Sequence, residues 1–264
     1  IQKGHLTALA VTASSYSSGE HVTFYESAQA VQPWVRSQRK AARDRITHEH
    51  LLASSAIPFV FPAKGITIDG HTEYFGDGSM RQSAPIAAAI HLGAERVLVI
   101  GAGRMHEPRG DSAAPPSPSY PSLAQIAGHA LSNIFLDALS VDVERVQRIN
   151  QTLSLIPEEK RTHSALRPVE LLVIAPSQRL DAIAARHVGD LPGPVRTMLG
   201  ALGVTSNMAD VRGAALASYL LFEQGYTQEL MALGRADTLA RRADVCRFFG
   251  WKDTGAALRT RLPA

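Results

Sequence analysis

The stretch from Tyr74 to Gly101 reads Tyr-Phe-Gly-Asp-Gly-Ser-Met-Arg-Gln-Ser-Ala-Pro-Ile-Ala-Ala-Ala-Ile-His-Leu-Gly-Ala-Glu-Arg-Val-Leu-Val-Ile-Gly, and the fold class is read from it. Tyr74 and Phe75 close a short extended segment. Gly76-Asp77-Gly78-Ser79 has turn chemistry, because glycine takes positive φ freely and an Asp side chain bonds its own backbone two residues on. Pro85 suits the first turn of a helix, where its missing N–H is no loss. Ile86 to Leu92 reads as that helix, Gly93 stops it, and Arg96 to Ile100 is expected to be a buried strand. Asp77 is thus a carboxylate on a glycine-flanked turn in a strand–turn–helix–strand unit, a frequent location for catalytic groups in α/β proteins.

Upstream, Leu6 to Ala13 and His21 to Tyr25 are β-leaning segments joined by Ser14-Ser15-Tyr16-Ser17-Ser18-Gly19, which predicts a hairpin. Ser15 to Gly19 misses the Gly-x-Ser-x-Gly nucleophile elbow by one residue. An elbow needs a helix leaving it, and here a strand leaves. Arg36, Arg39, Lys40, Arg43 and Arg45 form a basic cluster. It suits either anionic lipid headgroups or, as the simpler expectation, a solvated helix or loop surface. His48-Glu49-His50 lacks the two-residue spacer of a His-Glu-x-x-His zinc motif, so its histidines would not share a helix face. Ala53-Ser54-Ser55-Ala56-Ile57-Pro58 is a small-residue run suited to close backbone packing, with no catalytic role expected of Ser54 or Ser55. Asp69-Gly70, between Ile66–Ile68 and Thr72–Phe75, predicts a second hairpin.

Downstream, Gly101-Ala102-Gly103 opens like a dinucleotide-binding fingerprint, but His106 stands at the third glycine position and no helix follows to hold a pyrophosphate. A nucleotide-binding α/β domain is therefore disfavoured. Arg109 to Ser122 holds four prolines and is expected to be an irregular loop, either a lid or simply mobile. Leu123 to Leu153 has near-helical apolar spacing (Leu123, Ala127, Leu131, Ile134, Ala138, Val146, Ile149 and Leu153), and its apolar face is expected to cover a sheet. Val169 to Ala175 reads as a buried strand ended by Pro176, and Gly193 to Gly203 as a short helix. Arg212–Phe222, Gln228–Ala236 and Thr238–Phe249 read as a helical C-terminal region spanning about 205–264. There is no internal repeat.

A chain of 264 residues can bury a sizeable core as one domain, 1–264. Its 45% hydrophobic and 19% charged content belongs to the globular class rather than the disordered one. Cys246 is the only cysteine, which excludes an internal disulfide. A net charge of +3 makes no case for nucleic acid. No apolar run approaches the roughly 20 residues that span a bilayer, and nothing resembles a signal peptide. The chain opens on Ile1 with a strand already at Leu6, so its natural N-terminus is expected upstream, and a cytoplasmic or peripheral-membrane location is the expectation for what is visible.

The run Ala53 to Pro58, then Asp77-Gly78-Ser79, the Ala-rich helix and the strand Arg-Val-Leu-Val-Ile resemble the second half of the patatin-like phospholipases. Ser-Tyr-Leu-Leu-Phe-Glu at 218–223 and Leu-Gly-Arg-Ala-Asp at 233–237 resemble bacterial members. The resemblance implies an α/β three-layer sandwich with a central, mostly parallel sheet and with its N-terminal elements missing from this chain. It implies a lipid acyl ester hydrolase of the phospholipase or lysophospholipase A kind, working with a Ser–Asp dyad and without cofactor or metal. Asp77 matches the family's catalytic base, supported by Gly76, Gly78 and Ser79, the last departing from the usual Gly or Ala. A carboxylate near pKa 3.9 is a weak base for a hydroxyl, and partial burial would raise it. Neither a Gly-x-Ser-x-Gly nor a glycine-rich oxyanion segment occurs in the 264 residues. The chain is therefore expected to supply the base but not the nucleophile, and to be inactive alone. An incomplete sheet would expose apolar surface and strand edges, so self-association is expected. The alternative is a non-catalytic lipid- or protein-binding module that meets anionic membranes through the basic cluster.

Overall fold

A computed structural model describes residues 1, 3–58, 60–105, 123–161, 164, 166–201 and 211–253. The chain divides into two compact units, Ile1–Val97 with Ala130–Glu170, and Leu98–His129 with Leu171–Ala264. The expected loop at 109–122 lies outside the described residues, as does the end of the helix expected at 193–203.

The first unit is built on a six-stranded sheet. Its strands are β1 (Ala8–Ser15), β2 (His21–Ser27), β3 (Val35–Arg36), β4 (Arg39–Arg43), β5 (Lys64–Ile68) and β6 (His71–Asp77), in the order β3-β4-β2-β1-β6-β5. Both expected hairpins form. In β1–β2, Ala13 pairs with Val22 and Ser14 with His21. In β5–β6, Asp69 and Gly70 take φ of 51° and 82°, the left-handed pair that a two-residue hairpin turn requires. The expectation of a mostly parallel central sheet does not hold here, since only β2–β4 is parallel among the five pairings. The pairs β1–β2, β3–β4 and β5–β6 are joined by short turns, which suit antiparallel neighbours, and β1–β6 is an antiparallel pairing of strands distant in the chain.

Strand periodicity sorts the side chains to two faces. On one, Ala13, Val22, Phe24 and Phe75 form the core with Ile66 and with Ala53 of helix α1 (His48–Ser54). Phe24 meets Phe75 edge-on at 5.4 Å. Burying each aromatic ring is worth roughly 2–3 kcal/mol, and edge-to-face contact adds to that. On the other face, Tyr25 stacks on Trp34, which stacks on His91 of α2 (Ala87–His91). Asp142, buried on the long helix α3 (Leu123–Ser154), accepts from the Ile86 N–H at 2.9 Å and so ties α2 to α3. Val146 and Leu153 of α3 are buried and Ile149 is half-buried, matching the end of the apolar stripe read from the sequence; Val143 is buried as well, while the side chains at 127–138 are outside the described set.

Of the basic cluster, Arg45 lies in the loop that follows β4, and Arg36, Arg39, Lys40 and Arg43 lie on the β3–β4 hairpin at one edge of the sheet. Charged side chains there discourage pairing with another chain. Lys40 pairs with Glu20 at 3.0 Å and Glu73 at 3.8 Å.

Helix α4 (Glu158–Arg161) follows α3, and β7 (Arg96–Ile100) pairs with β8 (Glu170–Ile174) in a separate two-stranded sheet. The bonds from the Glu170 N–H to the Glu95 carbonyl and from the Gly101 N–H to the Ile174 carbonyl run in the parallel sense, as the long connection through α3 permits. β7 is not the buried strand expected. Alternate residues are exposed, with Ile100 at 79%, because β8 is its one strand partner among the described residues. Among its described residues the second unit also holds the helices α5 (Leu180–His187), α6 (Gly193–Ala201), α7 (Val211–Ser218), α8 (Gln224–Ala240) and α9 (Arg242–Phe249). α7 to α9 fall where helices were expected, whereas α5 was not anticipated. Among the described residues no helix is long and apolar enough to cross a membrane.

Candidate functional site

Asp77 is the last residue of β6. Its backbone is fixed on two sides, by pairing opposite Ala13 of β1 and by an N–H bond of 3.0 Å to the Ala56 carbonyl. The small-residue run at 53–58 therefore does what small residues allow, bringing its backbone against the Asp77 strand. The chain leaves Asp77 into a 3-10 turn, Gly78–Arg81. Asp77 Oδ1 accepts from the Ser79 N–H at 2.8 Å, the two-residue-on bond expected of an Asp at a turn. The side chain is 8% exposed, and its pKa is raised above the ordinary carboxylate value. Burial is the cause, and it outweighs the opposing bonds from the backbone and side chain of Ser79.

Gly76 and Gly78 flank Asp77 for a different reason from the one the sequence suggested. Neither has positive φ. What excludes a side chain is proximity: a Cβ on Gly78 would lie 2.7 Å from the Thr12 carbonyl carbon, and one on Gly76 would lie 2.7 Å and 2.8 Å from ring atoms of Tyr16. The two glycines let β1 and its turn close onto the Asp77 turn. Ser79 donates to the Asp77 carboxylate that caps the 3-10 turn, which makes it part of the turn.

Tyr16 and His21 adjoin the site, and neither was singled out as functional from the sequence. Tyr16 is 49% exposed, its backbone N–H bonds the Tyr74 carbonyl, and its phenol points at the Met80 sulfur at 3.8 Å. Its pKa is raised by burial and then by the charge of Asp77. His21 is 2% exposed, beside Ser14 and Arg39 in the strand registers. Its pKa is lowered to about 4 by burial and then by Arg39, against a hydrogen bond to the Gly78 backbone. Among the described residues its Nδ1 has no partner, and neither has the Oγ of its cross-strand neighbour Ser14. Sequence carried only a weak signal for these two residues. The hairpin predicts that Ser14 faces His21, but pairing between β1 and β6, distant in sequence, brings both strands to Asp77.

Other candidates resolve into structural roles. Ser15 Oγ donates to Glu73 at 2.7 Å and accepts from the Ser17 and Ser18 N–H groups, so the near-elbow at 15–19 is a hairpin turn. Ser55 Oγ donates to the Leu51 carbonyl at the end of α1. His48 is exposed and His50 buried, and among the described residues no cluster of three or more His, Cys, Asp or Glu side chains is placed to hold a metal. A groove of about 420 Å³ in the same unit, lined by α3 residues such as Arg148, Ile149 and Leu153, does not include Asp77.

The site is therefore a buried carboxylate of raised basicity whose backbone is held on two sides. Such a group can take a proton from a hydroxyl. Comparison with known proteins finds no matching family model, no matching curated protein and no matching solved structure.

Proposed function

We propose that this chain carries the general-base half of a Ser–Asp acyl hydrolase acting on lipid acyl esters, with Asp77 as the base. The observation that supports it is the Asp77 turn: the carboxyl group is buried and made more basic, and its backbone is held by β1 and by Ala56. A base works best with a pKa near the operating pH, and burial moves a carboxyl group in that direction. The resemblance of the surrounding sequence to patatin-like phospholipases supplies the substrate class. It also supplies the three-layer architecture, with which α1 packed on one sheet face and the Trp34–His91 stack on the other agree. The reading needs a serine nucleophile on a Gly-x-Ser-x-Gly elbow, which the 264 residues do not contain. A location at the membrane periphery is part of the same proposal.

The test is expression of the whole reading frame in which these residues lie, followed by fluorophosphonate labelling and phospholipid and lysophospholipid hydrolysis. The expected result is a labelled serine and hydrolysis that falls by about a thousandfold or more in Asp77→Asn, as losing a catalytic base or its proper form does. Hydrolysis unchanged in a folded Asp77→Asn protein, or no hydrolysis at all by the unmodified protein, would overturn the proposal. Salt-sensitive binding to anionic vesicles without any hydrolysis would favour a binding module instead.

A further inference from the structure

We infer that the groove along α3 binds a single-chain amphiphile whose head carries both a phosphate and an ammonium group. The groove does not include Asp77, and the inference does not rest on the reading of that residue as a base.

The groove lies between one face of α3 and the segment that holds Ser164 and Leu166. Its helix residues, from Val141 to Ile156, recur at three- and four-residue intervals, so they line one face over about 22 Å of helix axis. Leu153 is buried and Ile149 and Ile156 are half-buried, which gives the groove an apolar floor. Val141 and Leu166, each 55% exposed, add apolar surface that a ligand would take out of water. The volume selects for one chain. At roughly 30 Å³ for a group about as large as a water molecule, a groove of about 420 Å³ takes roughly fourteen methylenes, enough for one alkyl chain and not two.

The charged lining selects the head. It holds Glu144, Arg145 and Arg148. Arg145 is already engaged, donating to the buried Asp142 at 3.1 Å. Glu144 and Arg148 are exposed and stand one helical turn apart, in the order in which an acid and a base on a helix pair best. Among the described residues they nevertheless form no ion pair, with each other or with another side chain. The groove therefore presents a free carboxylate and a free guanidinium beside an apolar floor. A purely cationic head would leave Arg148 unmatched, and a purely anionic one would meet Glu144 as a like charge. A phosphate joined to an ammonium by a two-carbon linker matches both, the phosphate accepting from Arg148 and the ammonium lying against Glu144.

Dodecylphosphocholine carries this head on one chain and has no acyl ester, so its binding to the whole protein is read apart from any hydrolysis. Calorimetry below its micelle-forming concentration should show one saturable site. Affinity should rise about threefold or more for each two methylenes from decyl to tetradecyl, part of what full burial would give. Arg148→Glu and Leu166→Gln, both at exposed positions, are each expected to weaken binding by about tenfold. Dodecyl phosphate, which lacks the ammonium, should bind the unmodified protein more weakly than dodecylphosphocholine does, and should gain affinity in Glu144→Gln. Asp77→Asn should bind as the unmodified protein does. Equal binding of dodecyl maltoside would reduce the site to plain apolar surface and overturn the inference. Binding indifferent to both Arg148→Glu and Leu166→Gln, or no binding, would overturn it too. So would a dimer in sedimentation that Leu166→Gln separates and dodecylphosphocholine does not, since the groove would then hold a second copy of the chain. None of these outcomes bears on Asp77, which the hydrolysis test decides.

Discussion

Acidification should destabilise the six-stranded sheet through one residue, His21. It is 2% exposed, with its ring bonded to the Gly78 backbone and Arg39 beside it in the strand register. Burial and then Arg39 lower its pKa to about 4 from the ordinary 6.5. The folded protein thus binds fewer protons at this site than the unfolded chain between pH 6.5 and 4. The stabilisation is fully present above 6.5 and is lost as pH falls through that window. At about 1.4 kcal/mol per pKa unit, a shift of this size corresponds to roughly 3 kcal/mol by pH 4, of which about 2 kcal/mol is gone by pH 5. The perturbation is His21→Gln, which keeps an N–H able to reach Gly78 and removes the titration. Urea unfolding followed by the fluorescence of Trp34, which stacks on Tyr25 of the same sheet, should show the unmodified protein losing stability below pH 6.5 faster than the variant. Asp77 and Asp142, whose pKa values are raised by burial, act in the opposite sense and are common to both proteins. Equal pH slopes, or a His21 proton resonance titrating near 6.5, would refute the reasoning.

The two glycines beside Asp77 should behave differently. Gly78→Ala drives a methyl group into the backbone of β1 at Thr12, which cannot move aside, and is expected to cost about 1–3 kcal/mol in urea unfolding. Gly76→Ala meets first the phenol of the half-exposed Tyr16, a side chain that can swing aside, so it should cost less stability in the same unfolding measurement. In the helical unit, His187 has Nδ1 2.8 Å from Asp190 and Nε2 2.9 Å from Glu229, an arrangement that needs both ring nitrogens protonated. Its pKa is raised, first by Glu229 and then by Asp190, so the contribution is present below pH 6.5 and lost as pH rises through the folded value. Melting temperatures from pH 6 to 9 should therefore fall more for the unmodified protein than for His187→Gln.

Asp69-Gly70 shows why parts of the fold were legible. A two-residue hairpin needs positive φ at both positions, Asp and Gly supply it, and the turn forms as read. The same holds for the β1–β2 hairpin, the long helix α3 and the stop at Gly93, whose φ is 99°. Each depends on residues near one another in the chain. The direction of the central sheet was misjudged because it depends on which strands become neighbours. β1 pairs with β6 across some sixty residues, and nothing local to either strand records that choice. β7 was read as buried from its apolar residues alone, yet burial also depends on what covers a strand.

The candidate site divides along the same line. Sequence alone determined that an Asp stands on a glycine-flanked turn at the end of a strand, and that its side chain caps the next turn, because these are contacts between residues two apart. Tertiary structure decided everything that gives the carboxylate its chemistry. It buried Asp77 and set its backbone against Ala56, and it brought Tyr16 and His21 to the turn from another hairpin. It also gave Gly76 and Gly78 their reason, which is close approach rather than backbone conformation. The physical cause is that basicity and access depend on the surrounding dielectric and on neighbours in space, and a chain acquires both only when distant strands pair.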